Sequence, residues 1–136
     1  SNTLIGGSAS GEGNLISGNA GDGVVLSLSH RDQVVGNFIG TNISGTAAIA
    51  NDFSGILVTN GMTNTIRNNL ISGNAWRGVY LFDSGTRNNQ VAANFIGTNA
   101  QGTGALPNAA FGIQLQDAAY TLIGGPNPGD GNLISG

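Results

Sequence analysis

The chain has 136 residues, no Cys, a formal net charge of −3 and only 8% charged residues. The absence of Cys excludes disulfides, thiolate metal sites and cysteine nucleophiles, and without a basic stripe the chain does not suit a nucleic-acid backbone. No apolar run approaches the ~18 residues of a membrane-spanning helix. We therefore expect a single domain over residues 1–136, with neither nucleic acid nor a membrane as its partner.

One six-residue motif recurs along the chain and organises it. The motif reads Asn-Leu/Phe-Ile followed by Ser-Gly-Asn or Gly-Thr-Asn, and the last copy is incomplete. A Gly followed by alternating apolar residues comes after each complete copy, and an apolar segment led by Thr or Gln precedes each copy. Three short β-patterned runs per repeat predict three strands per coil of a solenoid.

The coils differ in where extra residues are inserted. Coil one, from Asn2 to about His30, carries the loop Gly6–Gly13 before its hexapeptide, and coil five repeats this arrangement with Gly124–Gly131. Coils two and four carry their extra residues after the hexapeptide, whereas coil three is compact. Insertions at the corners leave stacked strands intact. The sequence therefore predicts an all-β fold, a parallel β-solenoid of four coils plus part of a fifth.

Period-two alternation assigns one side of each strand to the interior. Equivalent inward residues should stack about 4.8 Å apart as columns of parallel sheets. The first predicted column contains Leu4, Val34, Ile66, Val91 and Leu122. The second contains the hexapeptide residues Ile16, Ile39, Ile71, Ile96 and Ile134. The third strand supplies two columns, Val24, Ile56, Val79 and Ile113, and Leu26, Val58, Leu81 and Leu115.

The two Asn positions of the hexapeptide lie where the chain is expected to turn. Asn tolerates left-handed backbone, and its amide can donate to the same side chain in the next coil. A buried ladder of this kind is satisfied only when every coil supplies a member, which explains the repetition without any function. The predicted ladder residues are Asn14, Asn37, Asn69, Asn94 and Asn132 in one file, and Asn19, Asn42, Asn74 and Asn99 in the other.

These motifs resemble a known group of proteins. Asn-x-Ile-Ser-Gly-Asn followed by Gly-Ile/Val-x-Leu, then Asn-x-Thr-Ile, is similar to the repeats of pectin-lyase-like and NosD-like proteins. The Ile-Gly-Thr-Asn coils resemble repeats of large exported bacterial proteins. The resemblance covers essentially the whole chain and implies a right-handed parallel β-helix in an extracellular or cell-surface location. Because the shared residues belong to turns and core, it indicates fold more than function.

Few residues of the chain can perform acid–base or metal chemistry. The lyases that the fold resembles use Asp clusters that bind Ca²⁺, and Asp83 and Asp117 are expected at equivalent positions in neighbouring coils. Such carboxylates, about 5 Å apart, could hold Ca²⁺ or form an acid–base pair. Asp is also a common turn residue, so we predict no catalytic residue and no cofactor, with Ca²⁺ as the alternative. The run His30–Asp32 is interpreted as a solvated turn.

Coil three differs from its neighbours because it carries aromatic side chains. Trp76 and Arg77 precede its third strand, on which Tyr80 and Phe82 should face outward, and Asp83 follows. Rings beside Arg and Asp on a strand face are typical of saccharide-binding grooves. We therefore consider Trp76, Arg77, Tyr80 and Asp83 as a candidate carbohydrate site. The alternative is that an insertion from coil two or four covers these rings.

The composition favours a structural or adhesive β-solenoid segment of an exported bacterial surface protein, with weak glycan contact through coil three. The faces of most coils are uniformly Asn, Ser and Thr, which suits a spacer. The alternative is a carbohydrate-active enzyme of the pectin-lyase-like type, either a lyase or a glycosidase. We also expect the segment to adjoin further coils or to associate end to end, because neither end of the repeat array shows a cap.

Overall fold

The computed structural model describes residues 1–136 and contains fourteen short strands. Each strand pairs in parallel with the equivalent strand of the next coil, which produces three sheets that run the length of the molecule. No helix is long and apolar enough to cross a membrane. The fold is the predicted right-handed parallel β-helix, whose connections take the hand that parallel strands favour.

The three sheets correspond to the three β-patterned runs of the repeat. Sheet A contains β1 (Leu4–Gly6), β4 (Gln33–Val35), β7 (Thr65–Arg67), β10 (Gln90–Ala92) and β13 (Leu122–Ile123). Sheet B contains β2 (Leu15–Ile16), β5 (Phe38–Ile39), β8 (Leu70–Ile71), β11 (Phe95–Ile96) and β14 (Leu133–Ile134). Sheet C contains β3 (Val24–Ser27), β6 (Ile56–Thr59), β9 (Arg77–Phe82) and β12 (Phe111–Gln116).

The core is a stack of aliphatic columns inside the solenoid. The hexapeptide Ile residues of all five coils lie opposite one another in sheet B, as predicted. In the middle coils these side chains, such as Ile39 and Ile71, are fully buried, and so are Val79 and Leu81 of sheet C. Period-two alternation therefore assigned the inner faces of sheets B and C correctly.

The predicted first column was wrong at its two ends. Ile5 lies opposite Val34, and Ile123 lies opposite Val91, so these Ile residues occupy the inward positions. Leu4 and Leu122 point outward and are 56% and 48% exposed. Both ends read Leu-Ile, and alternation cannot decide which of two adjacent apolar residues faces the core.

The insertions of coils two and four fold back over the outer face of sheet B. In coil two, Thr41 pairs with Ala48 in an antiparallel bridge, and the loop crosses Phe38 and Leu70. Gly45 lies so close that a Cβ there would come within 2.7 Å of a Leu70 methyl carbon. Leu70 is consequently only 4% exposed, whereas Leu15, which no loop crosses, is 45% exposed.

The first predicted Asn ladder is present through all five coils. Asn14, Asn37, Asn69 and Asn94 each donate both the backbone N–H and the side-chain Nδ2 to Oδ1 of the next Asn, at 2.9–3.0 Å. The second Nδ2 hydrogen is donated to a backbone carbonyl of the preceding coil, as from Asn69 to Val34. All groups of each middle side chain are therefore satisfied although they are buried.

The second predicted ladder contains different residues in coils two and four. Its members are Asn19, Asn51, Asn74 and Asn108, which are joined by Nδ2–Oδ1 hydrogen bonds. Asn42 and Asn99 are not in it: the Oδ1 atoms of these residues accept backbone N–H groups inside the insertion loops. The prediction was wrong because it counted from the preceding strand, and the insertion lies between that strand and the ladder position. Each true member lies five residues before the inward residue of sheet C.

A third polar column, absent from the prediction, lies at the entry to sheet A. Asp32, Asn64 and Asn89 are buried there, and the N–H of Asp32 donates to Asn64, whose own N–H donates to Asn89. Asp32 is thus 5% exposed rather than part of a solvated turn, although His30 and Arg31 are exposed. This column is difficult to recognise in the sequence because its members are not all the same residue type. Their shared spacing, two residues before an inward apolar residue, would have revealed it.

Candidate functional site

A row of aromatic rings lies on the outer face of sheet C in coils two and three. It contains Phe53, Trp76, Tyr80 and Phe82, with consecutive ring centroids 6.4, 6.5 and 5.5 Å apart. Phe53 and Trp76 are 49% and 42% exposed. The insertions cross sheet B instead, so the alternative of covered aromatics is wrong.

The strand β9 positions these rings because its alternation sends Val79 and Leu81 inward. Tyr80 and Phe82 therefore face outward on the same side, and Trp76 is at the corner just before the strand. Phe53 was not among the predicted site residues. It lies three residues before the inward Ile56, as Trp76 lies three residues before Val79, so spacing from the third strand would have found it.

Arg77 is enclosed by the aromatic rings. Its guanidinium carbon lies 3.2 Å from the centroid of Trp76 and 4.0 Å from that of Tyr80, which is cation–π geometry. Its Nε donates to Oε1 of Gln114 in the next coil, while Nη1 is buried without a partner. Arg77 is only 6% exposed and forms no salt bridge, since the chain's one salt bridge joins Arg67 to Asp130. An uncompensated positive charge therefore lies beneath the rings.

The aromatic row is an open surface, and none of its rings lines a hollow of the structure. The hydroxyl group of Tyr80 donates to Oε1 of Gln116 at 2.7 Å, which fixes the orientation of the Tyr80 ring. A hollow of about 240 Å³ is on sheet B and is lined by Phe38, Leu70 and Phe95 among others. Since small-molecule sites are normally concave, the aromatic row suits a ligand that lies along the surface.

Asp83 does not act together with Asp117. Its carboxylate turns towards coil two, where it accepts hydrogen bonds from the Thr59 hydroxyl and from the backbone and side-chain nitrogens of Asn60. The N–H of Gly85 donates to the same carboxylate at 3.0 Å. No group of three acidic, His or Cys residues that could hold a metal ion is formed. The geometry is that of a turn, with φ at +75° in Asp83 and +59° in Asp117.

Hydrogen bonding also sets the ionisation of Asp83. Burial raises the pKa of its carboxyl group, but the hydrogen bonds from Thr59, Asn60, Gly85 and Thr86 together lower the pKa below its ordinary value. The carboxylate is thus held ionised, which is unsuitable for a general acid. Both oxygens of the carboxylate accept hydrogen bonds from its own turn and from coil two, so Asp83 stabilises the fold beside the aromatic row.

The lowered pKa of Asp83 gives a testable dependence of stability on pH. A carboxyl group whose pKa is lower in the folded state stabilises the fold above its unfolded pKa, and that contribution is lost as the pH falls below about 4. We expect the wild-type thermal midpoint to fall more steeply between pH 7 and pH 3 than that of Asp83→Asn. Thermal unfolding followed by circular dichroism measures the difference.

Asp52→Asn is the matched control for this experiment, since Asp52 is exposed and its carboxylate accepts no hydrogen bond from the chain. Its profile should follow the wild type. Parallel profiles for the wild type and Asp83→Asn would contradict the assignment of Asp83 as a hydrogen-bonded turn carboxylate.

The chain's only His and only Met lie together in neighbouring coils. His30 and Met62 are opposite residues of a parallel bridge between coils one and two. Arg87 is the next member of this column, and its Nε lies 3.3 Å from the Met62 sulfur. Imidazole and thioether are copper ligands, but the guanidinium occupies the side of the sulfur that faces coil three.

Comparison with known proteins identifies the family. Residues 6–135 match the model of a family described as periplasmic copper-binding protein (NosD). No curated protein and no solved structure was found to match the chain. The match extends over all five coils and agrees with the parallel sheets of the structure. The chain therefore belongs to the NosD family, an exported, periplasmic family of parallel β-helix proteins.

Proposed function

We propose that this segment is a structural and adhesive β-solenoid of an exported bacterial surface protein, and that its aromatic row contacts polysaccharide. The observation that carries the proposal is the row of four consecutive rings on the outer face of sheet C. Aromatic faces stack on the apolar faces of pyranose rings, and their removal from water stabilises the contact. An open row of successive rings suits an extended polymer.

The charge of Arg77 supports an acidic saccharide over a neutral one. The guanidinium is buried among rings and has no carboxylate partner within the chain. Its field is weakly screened at such a site, so a uronate or sulfate group that approaches the row from solvent would be attracted. Asp83 does not compete for this charge, because its carboxylate is turned towards coil two.

The structural role is supported by the satisfied polar columns. Three columns of Asn and Asp side chains tie each coil to the next, and the aliphatic columns fill the interior. Such a solenoid is rigid along its axis and presents side chains at regular intervals. The carbohydrate-active alternative receives no support from Asp83, since an ionised and fully hydrogen-bonded carboxylate does not provide an acid–base pair with Asp117.

The copper that the family description names does not fit the residues of this chain. Copper sites in proteins are built from several imidazole, thiolate or thioether ligands, and the chain has one His, one Met and no Cys. These two donors would leave the coordination incomplete, and Arg87 places a cation beside the Met62 sulfur. We therefore derive no copper chemistry from this segment.

Replacing Trp76 by Ala tests the glycan contact. The ring contributes stacking area at the centre of the row, so we expect the affinity for acidic polysaccharide to fall about tenfold or more. The fold should be retained, because Trp76 is 42% exposed and contributes no core contact. Binding to an array of acidic and neutral glycans, together with far-UV circular dichroism, measures both properties.

Tyr120→Ala is the matched control, because Tyr120 is an aromatic residue that is 84% exposed and lies outside the aromatic row. It should bind glycans as the wild type does. An equal loss of affinity in both variants, or wild-type binding by Trp76→Ala, would contradict the placement of the contact at the aromatic row.

A further inference from the structure

Met62 supplies the only sulfur atom of the chain, because the sequence contains one Met and no Cys. It lies in the turn between β6 and β7 in coil two. The residue is half-buried, so a molecule as small as hydrogen peroxide can reach its thioether from solvent. Such oxidants convert thioethers to sulfoxides. Met62 is therefore the one position at which sulfur oxidation can alter this solenoid.

The turn that contains Met62 is attached to Arg87 of coil three through the backbone. Met62 and Arg87 are opposite residues of a parallel bridge. The N–H of Arg87 donates to the carbonyl of Gly61 at 3.2 Å, and the N–H of Thr63 donates to the carbonyl of Arg87 at 3.1 Å. The residues on both sides of Met62 thus bond to Arg87, which holds the Met62 and Arg87 side chains next to each other.

The guanidinium of Arg87 contacts the sulfur and has no acidic partner. Its Nε donates to the Met62 Sδ at 3.3 Å. The chain's one salt bridge joins Arg67 to Asp130, so no carboxylate competes for the Arg87 side chain. A thioether sulfur is a weak acceptor. A charged donor therefore lies beside the sulfur and is paired with the weakest of acceptors.

We propose that Met62 is a reversible oxidation site, and that Arg87 stabilises the sulfoxide within the folded solenoid. The sulfur donates an electron pair to one oxygen of hydrogen peroxide, and the O–O bond breaks. The hydroxide that leaves takes the proton of the transferred oxygen and becomes water, so the sulfur is oxidised and the peroxide is reduced. Such a site suits an exported protein, which meets oxidants outside the reducing cytosol.

Arg87 determines what this oxidation does to the fold. A sulfoxide is much more polar than a thioether, and a half-buried polar group without a hydrogen bond destabilises the folded state. Because the Met side chain is flexible, its new oxygen can turn towards the Arg87 Nε, which is already at hydrogen-bonding distance from the sulfur. Hydrogen bonds from a charged donor are stronger than neutral ones. The contact between coils two and three is consequently strengthened by oxidation.

Treatment with dilute hydrogen peroxide tests the site, and the mass of the intact chain measures the oxidation. We expect one oxygen atom to be added at Met62, and the thermal midpoint of the oxidised wild type to stay within about 1 °C of the untreated protein. In Arg87→Leu the same oxidation should lower the midpoint by about 3 °C or more, because the sulfoxide loses its donor. Arg87→Lys, which keeps a charged donor, should lose less.

Nuclear magnetic resonance of the arginine Nε–H groups observes the contact itself, since the chain has only four Arg residues. Oxidation should shift the Nε–H resonance of Arg87 and leave that of Arg31, which is also exposed, unchanged. Methionine sulfoxide reductase should restore both the original mass and the original Arg87 resonance.

Met62→Leu is the matched control, because it conserves the volume of the side chain and removes the sulfur. Peroxide should change neither its thermal midpoint nor its Arg87 resonance. An equal change of the midpoint in the wild type and Arg87→Leu would overturn the proposal. So would an Arg87 resonance that oxidation does not shift, or a Met62 sulfur that dilute peroxide leaves unoxidised.

Discussion

Replacing Asn69 by Ala is expected to lower the free energy of unfolding by about 3 kcal/mol or more. The Oδ1 atom of Asn69 accepts the backbone N–H and the Nδ2 of Asn37, and its own Nδ2 donates to Val34 and Asn94. All these groups are buried, so truncation leaves two donors of Asn37 without an acceptor and without water. Each such group costs roughly 1–3 kcal/mol. Urea unfolding at neutral pH measures the change.

Asn42→Ala is the matched control for the ladder. Asn42 belongs to the same repeated motif as Asn74, but its Oδ1 accepts N–H groups of a partly exposed loop. We expect a loss of about 1 kcal/mol or less, since water can replace these hydrogen bonds. If Asn42→Ala destabilised the protein as much as Asn69→Ala, the assignment of the ladders would be wrong.

Truncating Ile71 to Ala should be equally severe, with an expected cost of about 3–4 kcal/mol. Ile71 is fully buried at the centre of its column, between Ile39 and Ile96. The coils above and below are fixed by ladder hydrogen bonds, so they cannot move together to fill the cavity. A cavity that does not collapse adds to the lost burial of the side chain. Thermal and urea unfolding should both report the change.

Ile43→Ala is the control for this substitution because Ile43 is the same residue type and is 76% exposed in the coil-two insertion. Its expected effect is within about 0.5 kcal/mol. A large loss from Ile43→Ala, or a negligible one from Ile71→Ala, would contradict the inward column.

Much of the fold could be predicted because the same core and hydrogen-bonding positions recur in every coil. The hexapeptide Ile must face the core in all coils, and one Asn file is buried wherever that Ile is buried. Prediction failed where spacing is interrupted. Asn51 and Asn108 follow insertions. The number of residues between each of them and the next strand is the same as in the other coils, whereas the number that separates them from the previous strand is larger. At Leu4 and Ile5 two apolar neighbours made the alternation ambiguous.

The candidate site was predictable in its residue types and less so in its contacts. Trp76 and Tyr80 are conspicuous in a chain with 6% aromatic residues. That Arg77 would be enclosed by their rings, and that Asp83 would turn away towards coil two, depends on side-chain orientation. The orientation of these side chains depends on contacts with residues of other coils, such as Gln114 and Asn60. A local sequence pattern does not predict such contacts.

Fluorescence of Trp76 tests the saccharide contact most directly, because Trp76 is the only tryptophan of the chain. The signal arises within the aromatic row without any label. Titration with acidic oligosaccharides should produce a saturable change in emission, and neutral oligosaccharides of equal length should produce a weaker one. Unchanged Trp76 emission across a broad series of acidic and neutral glycans at millimolar concentration would contradict the proposal.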